Sequence, residues 1–360
     1  MPVQEAIHID GAEPRAIGVR TPIAASQPAV TGPIFFRALS PAFEWFMRRV
    51  VSGTRRSVAS PASCIRAGRH GNLCVMSAPD PYPERIVCLT EETTETLYLL
   101  GEERRIAGIS GYTVRPPQAR RDKPRVSAYT SAKIDRILAL EPDLVLGFSD
   151  LQADIARDLI RAGIEVYTFN HRDIAGILRM IRTVGALVGA TTRAADLAET
   201  LAARVAAARS AAARLPRRPR VYFEEWDEPL ISGIRWVSEL IDCAGGDDCF
   251  AEFATGRLAR ERIIADPAEV VRRRPDIIIG SWCGKKFRPE SVRARPGWAV
   301  IPAVRDGELH EIKSPLILQP GPAALTDGLD ALTAIIRSWA TKTRQDAGIG
   351  TLEPEQSTYI

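Results

Sequence analysis

One phrase occurs twice in this chain, and its recurrence restricts the fold more than any other feature. ILALEPDLVLGF (137–148) and VVRRRPDIIIGSW (270–282) share a helical run, Pro-Asp, three apolar residues and a glycine in register, with Pro142 and Pro275 lying 133 residues apart. In each copy the proline is expected to end a helix and the apolar triad to form a central parallel strand. The glycine lets the chain turn at the strand's carboxyl end, where α/β sheets place ligands. One such joint is commonplace; two in corresponding places predict two similar lobes.

The surrounding pattern fits. From Arg85 onward short β-branched runs alternate with helical segments, the signature of α/β architecture with mostly parallel sheets. Strands are expected at 86–90, 106–110, 143–148 and 165–170 in the first lobe, and at 220–226, 276–282 and 309–312 in the second. Helices are expected at 93–101, 151–163, 236–246, 265–274 and 321–339. GYTVRPPQARRDKPRV (111–126) is too rich in proline and charge for either element and reads as a surface loop. Asp173 to Leu215, with high Ala, Arg and Leu content, reads as one long helix or two nearly collinear ones bent near Gly185 or Gly189. The organisation is therefore a first α/β lobe over 81–172, a linker helix over 173–215, a second lobe over 216–340 and a polar tail over 341–360.

Charge divides unevenly along the 360 residues. The net charge is +4, but residues 1–80 hold 9 Lys/Arg against 5 Asp/Glu, and the rest are balanced at 39 against 39. The neutral body argues against a phosphate-tracking surface and so against nucleic acid as a partner. Residues 1–80, rich in Pro, Ala, Ser and Arg, read as a disordered extension or as sequence upstream of a true start at Met76. They show no charged start followed by a clean apolar run, so no secretory or lipoprotein signal is legible and the sequence as it stands reads as cytoplasmic. A different true N-terminus would make it periplasmic. No run reaches the roughly 20 apolar residues of a membrane-spanning helix. Six cysteines and four histidines show no CxxC pair and no zinc-type spacing, so no metal site is expected.

The phrases PERIVCLTEETTETLYLLG, ISGYTVRPPQA, KIDRILALEPDLVLGF, the Ala-rich helix, LIDCAGGDDCF and DPAEVVRRRPDIIIGSW resemble the substrate-binding proteins of vitamin B12 and ferric-siderophore ABC importers. The likeness runs from about Pro83 to Trp339. It implies the class III periplasmic-binding-protein fold, two Rossmann-like lobes joined by one long α-helix, with ligand in the cleft between them and little hinge motion. It implies a monomer that binds a small-molecule metal chelate and meets an ABC permease, or a cytosolic carrier. GYTVRPP looks closest to the B12-binding branch, so the expected ligand is cobalamin or another corrinoid, with a ferric siderophore or haem as alternatives and no catalytic cofactor.

Carried over by position, the resemblance implies ligand contacts from Tyr112, Thr113 and Arg115 in the first lobe, then from Phe148, Ser149, Asp150 and Gln152 after the repeated strand. The second lobe contributes Glu225 and Trp226, then Trp282, Cys283 and Lys285. Aromatic faces suit a flat macrocycle, and Arg115 and Lys285 suit its polar rim. Phe148 and Trp282, at near-equivalent places in the two repeats, are expected to grip a ring from opposite sides. Competing readings stand beside these: Phe148 and Trp226 end apolar strands and can turn inward, and Ser149 or Asp150 can cap the following helix. His171 follows a strand at the same edge and is the one histidine placed to ligate a metal centre. The family's docking acids correspond to Asp135 and Asp242, shorter than the expected glutamates.

An enzyme is the competing class. GxSxG, HExxH and GxxxxGK[ST] are all absent. Glu224 and Glu225 are adjacent on a strand and point to opposite faces, so only one can face the cleft. A chelatase-like or corrinoid-processing enzyme on the same architecture would have to use His171 as its proton acceptor.

Overall fold

The computed structural model describes residues 80–342. The expectations for the N-terminal segment and for the polar tail fall outside these residues, apart from their inner margins. The first sheet is built from β1 (Ile86–Cys88), β2 (Ile106–Ser110), β3 (Arg125–Ser127), β4 (Leu144–Phe148) and β5 (Val166–Phe169), in the order β3-β2-β1-β4-β5. All its pairings are parallel. Its helices are α1 (Glu91–Leu99), α2 (Pro117–Asp122), α3 (Ile134–Leu138) and α4 (Ala153–Arg161). The second sheet contains β6 (Arg220–Asp227), β7 (Leu230–Ser232), β8 (Asp247–Asp248), β9 (Ile277–Gly280) and β10 (Leu309–Glu311). Its order is β10-β9-β6-β7, with β8 beside the start of β6 and β7 as its antiparallel member.

The repeated Pro-Asp phrase has one structural job in both sheets. The Asp143 carboxylate accepts the backbone N–H groups of Glu84 and Arg85 at 2.7 and 3.0 Å, which fastens the start of β4 to the start of β1. Asp276 does the same at β9, accepting the Arg220 N–H at 2.9 Å and its guanidinium at 3.0 Å. The residue before each proline, Glu141 (φ 47°) or Arg274 (φ 49°), is in the left-handed region. A proline disfavours helical geometry in its predecessor, so the chain leaves each helix by that one left-handed step. The helix thus ends before the proline, not at it, and Pro-Asp starts the strand.

Two sequence expectations are corrected. Residues 173–215 form α5 (Ile174–Leu187) and α6 (Thr191–Ala212), which fold back against each other across a three-residue turn instead of running collinearly. A β-carbon at Gly185 would stand 2.1 Å from that of Ala194, so only glycine permits this approach. Helix α5 packs on α1 of the first lobe, and α6 packs on α7 (Arg235–Ala244) and on the terminal helix of the second. The segment 111–126, expected as an unbroken loop, contains α2 and the start of β3. Pro117 at the first turn of α2, where no N–H is required, explains why proline did not prevent a helix.

Beyond α7 the second lobe holds α8 (Ala268–Arg273), α9 (Pro289–Arg293), α10 (Pro302–Arg305), α11 (Ser314–Ile317) and α12 (Leu329–Thr341). One continuous apolar core joins the lobes, running from Ile86 and Leu146 through Ile181, Ala194 and Leu201 to Phe223, Leu240 and Ile336. The central strands are buried on both faces, as a parallel sheet covered by helices must be. Among the described residues no helix is long and apolar enough to cross a membrane.

Candidate functional site

Both sheets direct the carboxyl ends of their strands to one junction. On the first-lobe side β1 runs straight into α1, whose Glu91, Glu92 and Glu95 are buried to 5, 1 and 8% residual exposure. Glu91 accepts the Val114 N–H at 2.6 Å and so ties the GYTVRPP loop down. Glu95 accepts the Arg115 guanidinium at 3.0 Å and the Ala323 N–H at 3.1 Å, and Arg115 also meets Asp327 at 2.8 Å. Glu92 accepts the Thr90 hydroxyl at 2.6 Å, while its Oε2 is buried with no partner. Burial pushes Glu91 and Glu92 each up to about 7. These acids were passed over in the sequence because Glu in a first helical turn is ordinary; three in the five residues after a central strand is the signal that was available.

The rest of the first-lobe edge separates into exposed and buried groups. Tyr112 is 49% exposed, and so is Leu151 at 48%, a residue sequence reasoning missed. Thr113 is fully buried. Ser149, at φ 68°, accepts the Leu151 N–H through its hydroxyl at 3.1 Å, the capping role. Gln152 is structural: its Oε1 accepts the Phe148 N–H and its Nε2 donates to the Tyr129 carbonyl, both at 2.9 Å. Phe148 is buried, edge-on to His171 at 5.3 Å, with the Arg172 guanidinium 4.7 Å from its ring centroid. Asp150 is exposed, 3.5 Å from Arg172. His171 donates from Nε2 to the Pro320 carbonyl at 2.8 Å, and burial lowers it to about 4, so it is a neutral hydrogen-bond donor across the junction.

On the second-lobe side, β6 ends in Glu224-Glu225-Trp226-Asp227. The strand alternation sends the two glutamates to different arginines: Glu224, fully buried, receives Arg295 at 2.6 and 2.8 Å, and Glu225 receives the buried Arg262 at 2.6 and 2.9 Å. Trp226 is half-buried and donates to the Glu228 carbonyl at 2.8 Å. Lys285 lies 4.3 Å over the Trp226 ring and is ion-paired to Asp227. Trp282 is only 4% exposed, packed on Phe287 at 5.0 Å and donating to Glu224 at 3.0 Å. The expected grip of Phe148 and Trp282 on opposite faces of a ring is therefore not what the fold presents, because each ring is already covered by its own lobe.

The two edges influence one another. Desolvation raises the Tyr129 phenol to about 12, and Glu92 of its own lobe and Glu225 of the other act in the same direction. Desolvation likewise raises the exposed Cys283, followed by Glu225 and, from the first lobe, Glu91. Arg172 is lowered by burial and further by Arg257 and Arg262 across the junction. Tyr129 and Cys283 thus sit within reach of the opposite lobe, while Tyr112 and Leu151 are exposed at the first-lobe strand ends and Trp226 is half-buried at the end of β6. The two acids expected to meet a permease lie elsewhere: Asp135 is exposed on α3, whereas Asp242 on α7 already pairs with Arg218 at 3.0 Å and Arg209 at 3.6 Å. Among the described residues no three His, Cys, Asp or Glu side chains converge as a metal site.

The sequence matches the periplasmic binding protein family over residues 86–316. A cobalamin-binding protein of Halobacterium salinarum is 28% identical over 53% of this chain and 54% of its own length, so the chain spans about half of that relative. A vitamin B12-binding protein of Yersinia pseudotuberculosis is 25% identical over 62% of this chain and 77% of its own. Among solved structures, the periplasmic heme-binding protein RhuT from Roseiflexus sp. RS-1 superposes with a TM-score of 0.63 at 24% identity, covering 71% of this chain and 99% of that one. The vitamin B12 binding protein BtuF of Vibrio cholerae gives 0.59 at 19%, covering 72% and 99%. The two-lobed architecture is that of these proteins, and with the match covering both sheets the chain belongs to the periplasmic binding protein family.

Proposed function

We propose that this chain binds a corrinoid, of the cobalamin type, between its two lobes, as the substrate-binding component that presents it to an ABC permease or as a carrier that hands it on. One observation carries the reading: the strand ends expose Tyr112, Leu151 and the half-buried Trp226 around a junction where Arg115 is already paired with Glu95, Glu224 with Arg295 and Glu225 with Arg262. Apolar and aromatic surface of that kind, with a few oriented polar groups, suits a broad macrocycle with an amide rim. The relatives named for cobalamin and vitamin B12 favour a corrinoid over haem or a ferric siderophore. The continuous core through α5 and α6 supports binding without large lobe closure.

Absorbance titration of the full chain with cobalamin, cobinamide, haem and a ferric hydroxamate tests this. Micromolar or tighter binding of a corrinoid is expected; failure of every corrinoid, or tighter binding of haem, overturns the ligand assignment. Trp226→Ala is expected to weaken the corrinoid by about 2 kcal/mol, the scale of an aromatic anchor. The same titration reads it, and an unchanged affinity removes Trp226 from the site.

A further inference from the structure

At the carboxyl ends of β9 and β10 a side pocket of about 300 Å³ opens beside the junction, lined by Trp282, Lys285, Lys286, Glu311, Lys313 and Ser314 among others. Its volume is at the lower limit of small-molecule sites, too small for a macrocycle and right for one arm of a larger ligand. Three ammonium groups surround it. Two are committed, Lys285 to Asp227 and Lys313 to Glu311 at 2.6 Å, while Lys286 has no ion-pair partner among the described residues. The rim therefore carries one uncompensated positive charge.

The pocket is built, not incidental. Gly284, at φ 77°, makes the turn after Trp282 that sets Lys285 and Lys286 over the end of β9. The far side of that turn is fixed by Phe287, whose N–H donates to Glu311 at 3.1 Å and whose ring is buried. Across the junction the first lobe offers the opposite character, with Glu91, Glu92 and Glu95 grouped at the start of α1. Glu95 is neutralised by Arg115 and burial holds Glu91 and Glu92 up to about 7, so near neutral pH that wall carries a partial negative charge against the net positive charge of this pocket. A ligand with a neutral rim and one anionic arm can satisfy both sides, whereas a ligand with several carboxylates would bring negative charge towards the acidic wall.

We propose that this pocket receives the phosphodiester arm of a nucleotide-bearing corrinoid and sets the orientation of the ligand between the lobes. The inference rests on the corrinoid reading above. It identifies Lys286, the ammonium without an ion-pair partner among the described residues, as the specificity-determining residue, with Lys313 holding the neighbouring Glu311 neutralised so that the rim stays net positive. At modest salt such contacts are felt strongly and weaken as ionic strength rises.

The full chain is titrated with cobalamin, which carries the phosphodiester, and with cobinamide, which lacks it, at about 50 mM and about 500 mM salt. Cobalamin is expected to bind at least tenfold more tightly at low salt, with the preference shrinking at high salt. Lys286→Gln and Lys313→Gln should each reduce the preference at least threefold while leaving the cobinamide affinity and the thermal midpoint unchanged. Equal affinities of the two corrinoids, or variants that weaken both alike, overturn the subsite and leave the corrinoid reading standing. Failure of both corrinoids to bind overturns the two together.

Discussion

Trp282→Ala is expected to cost about 3–5 kcal/mol of folding stability, the range for deleting a buried aromatic ring. Its position after the repeated strand pointed to a ligand anchor, but the ring packs edge-on to Phe287 and its indole N–H serves Glu224. Glu224 is fully buried and depends on Arg295 and this indole for its hydrogen bonds. Removing the ring opens a cavity and takes a donor from a buried carboxylate, and both effects fall on the fold. Urea denaturation reads the loss. Trp282→Phe separates the contributions in part: it keeps an aromatic ring in the site but loses the N–H together with some of the indole's volume, for an expected cost of at least about 1.5–3 kcal/mol, the scale of a hydrogen bond to a charged group. If Trp282→Ala kept wild-type stability and lost only ligand affinity, the ring would belong to the cleft after all.

That contrast shows what the sequence can carry. The repeat was legible because Pro142-Asp143 and Pro275-Asp276 do the same local work, an aspartate closing onto the neighbouring strand, and local work leaves a local signature. The fold-back of α5 on α6 left no comparable trace, since it depends on Gly185 meeting Ala194 across the turn, and a glycine inside an Ala-rich helical run has several readings. The side chains at strand ends were least legible. Phe148 and Trp282 occupy equivalent places and are both covered, while Tyr112 and Leu151 are open, and what decides is which neighbours, Arg172 or Phe287, lie close enough to cover a ring. Such contacts come from residues distant in the chain. The acid group on α1 went unnoticed for a related reason: Glu91, Glu92 and Glu95 look like a solvated first turn until the 320–323 segment is folded over them, with Pro320 held by His171 and Ala323 by Glu95.

Glu92→Gln is expected to make the protein more stable at pH 8 and nearly neutral in effect at pH 5. Burial raises the Glu92 carboxyl from 4.5 to about 7, so the folded protein holds this proton more tightly than the unfolded chain does. Stability from a group raised in this sense is fully present below the unfolded value and is lost as pH rises through the folded one. The window is therefore about 4.5 to 7, and by pH 8 the wild type has lost on the order of 3 kcal/mol relative to acid conditions. Glutamine mimics the protonated acid: its carbonyl can still accept the Thr90 hydroxyl, and its amide removes the charge that the unpartnered Oε2 would carry. Glu91, raised in part by Glu92, is eased at the same time, which adds to the gain at high pH. His171, held down to about 4 by burial, has the opposite dependence, losing stability as pH falls from 6.5 through 4, but it is present in both proteins and cancels in their difference. The urea midpoint of the variant minus that of the wild type should accordingly grow between pH 5 and pH 8. A difference that stays flat with pH would mean that Glu92 reaches solvent in the folded protein and is ionised there at neutral pH like any surface carboxylate.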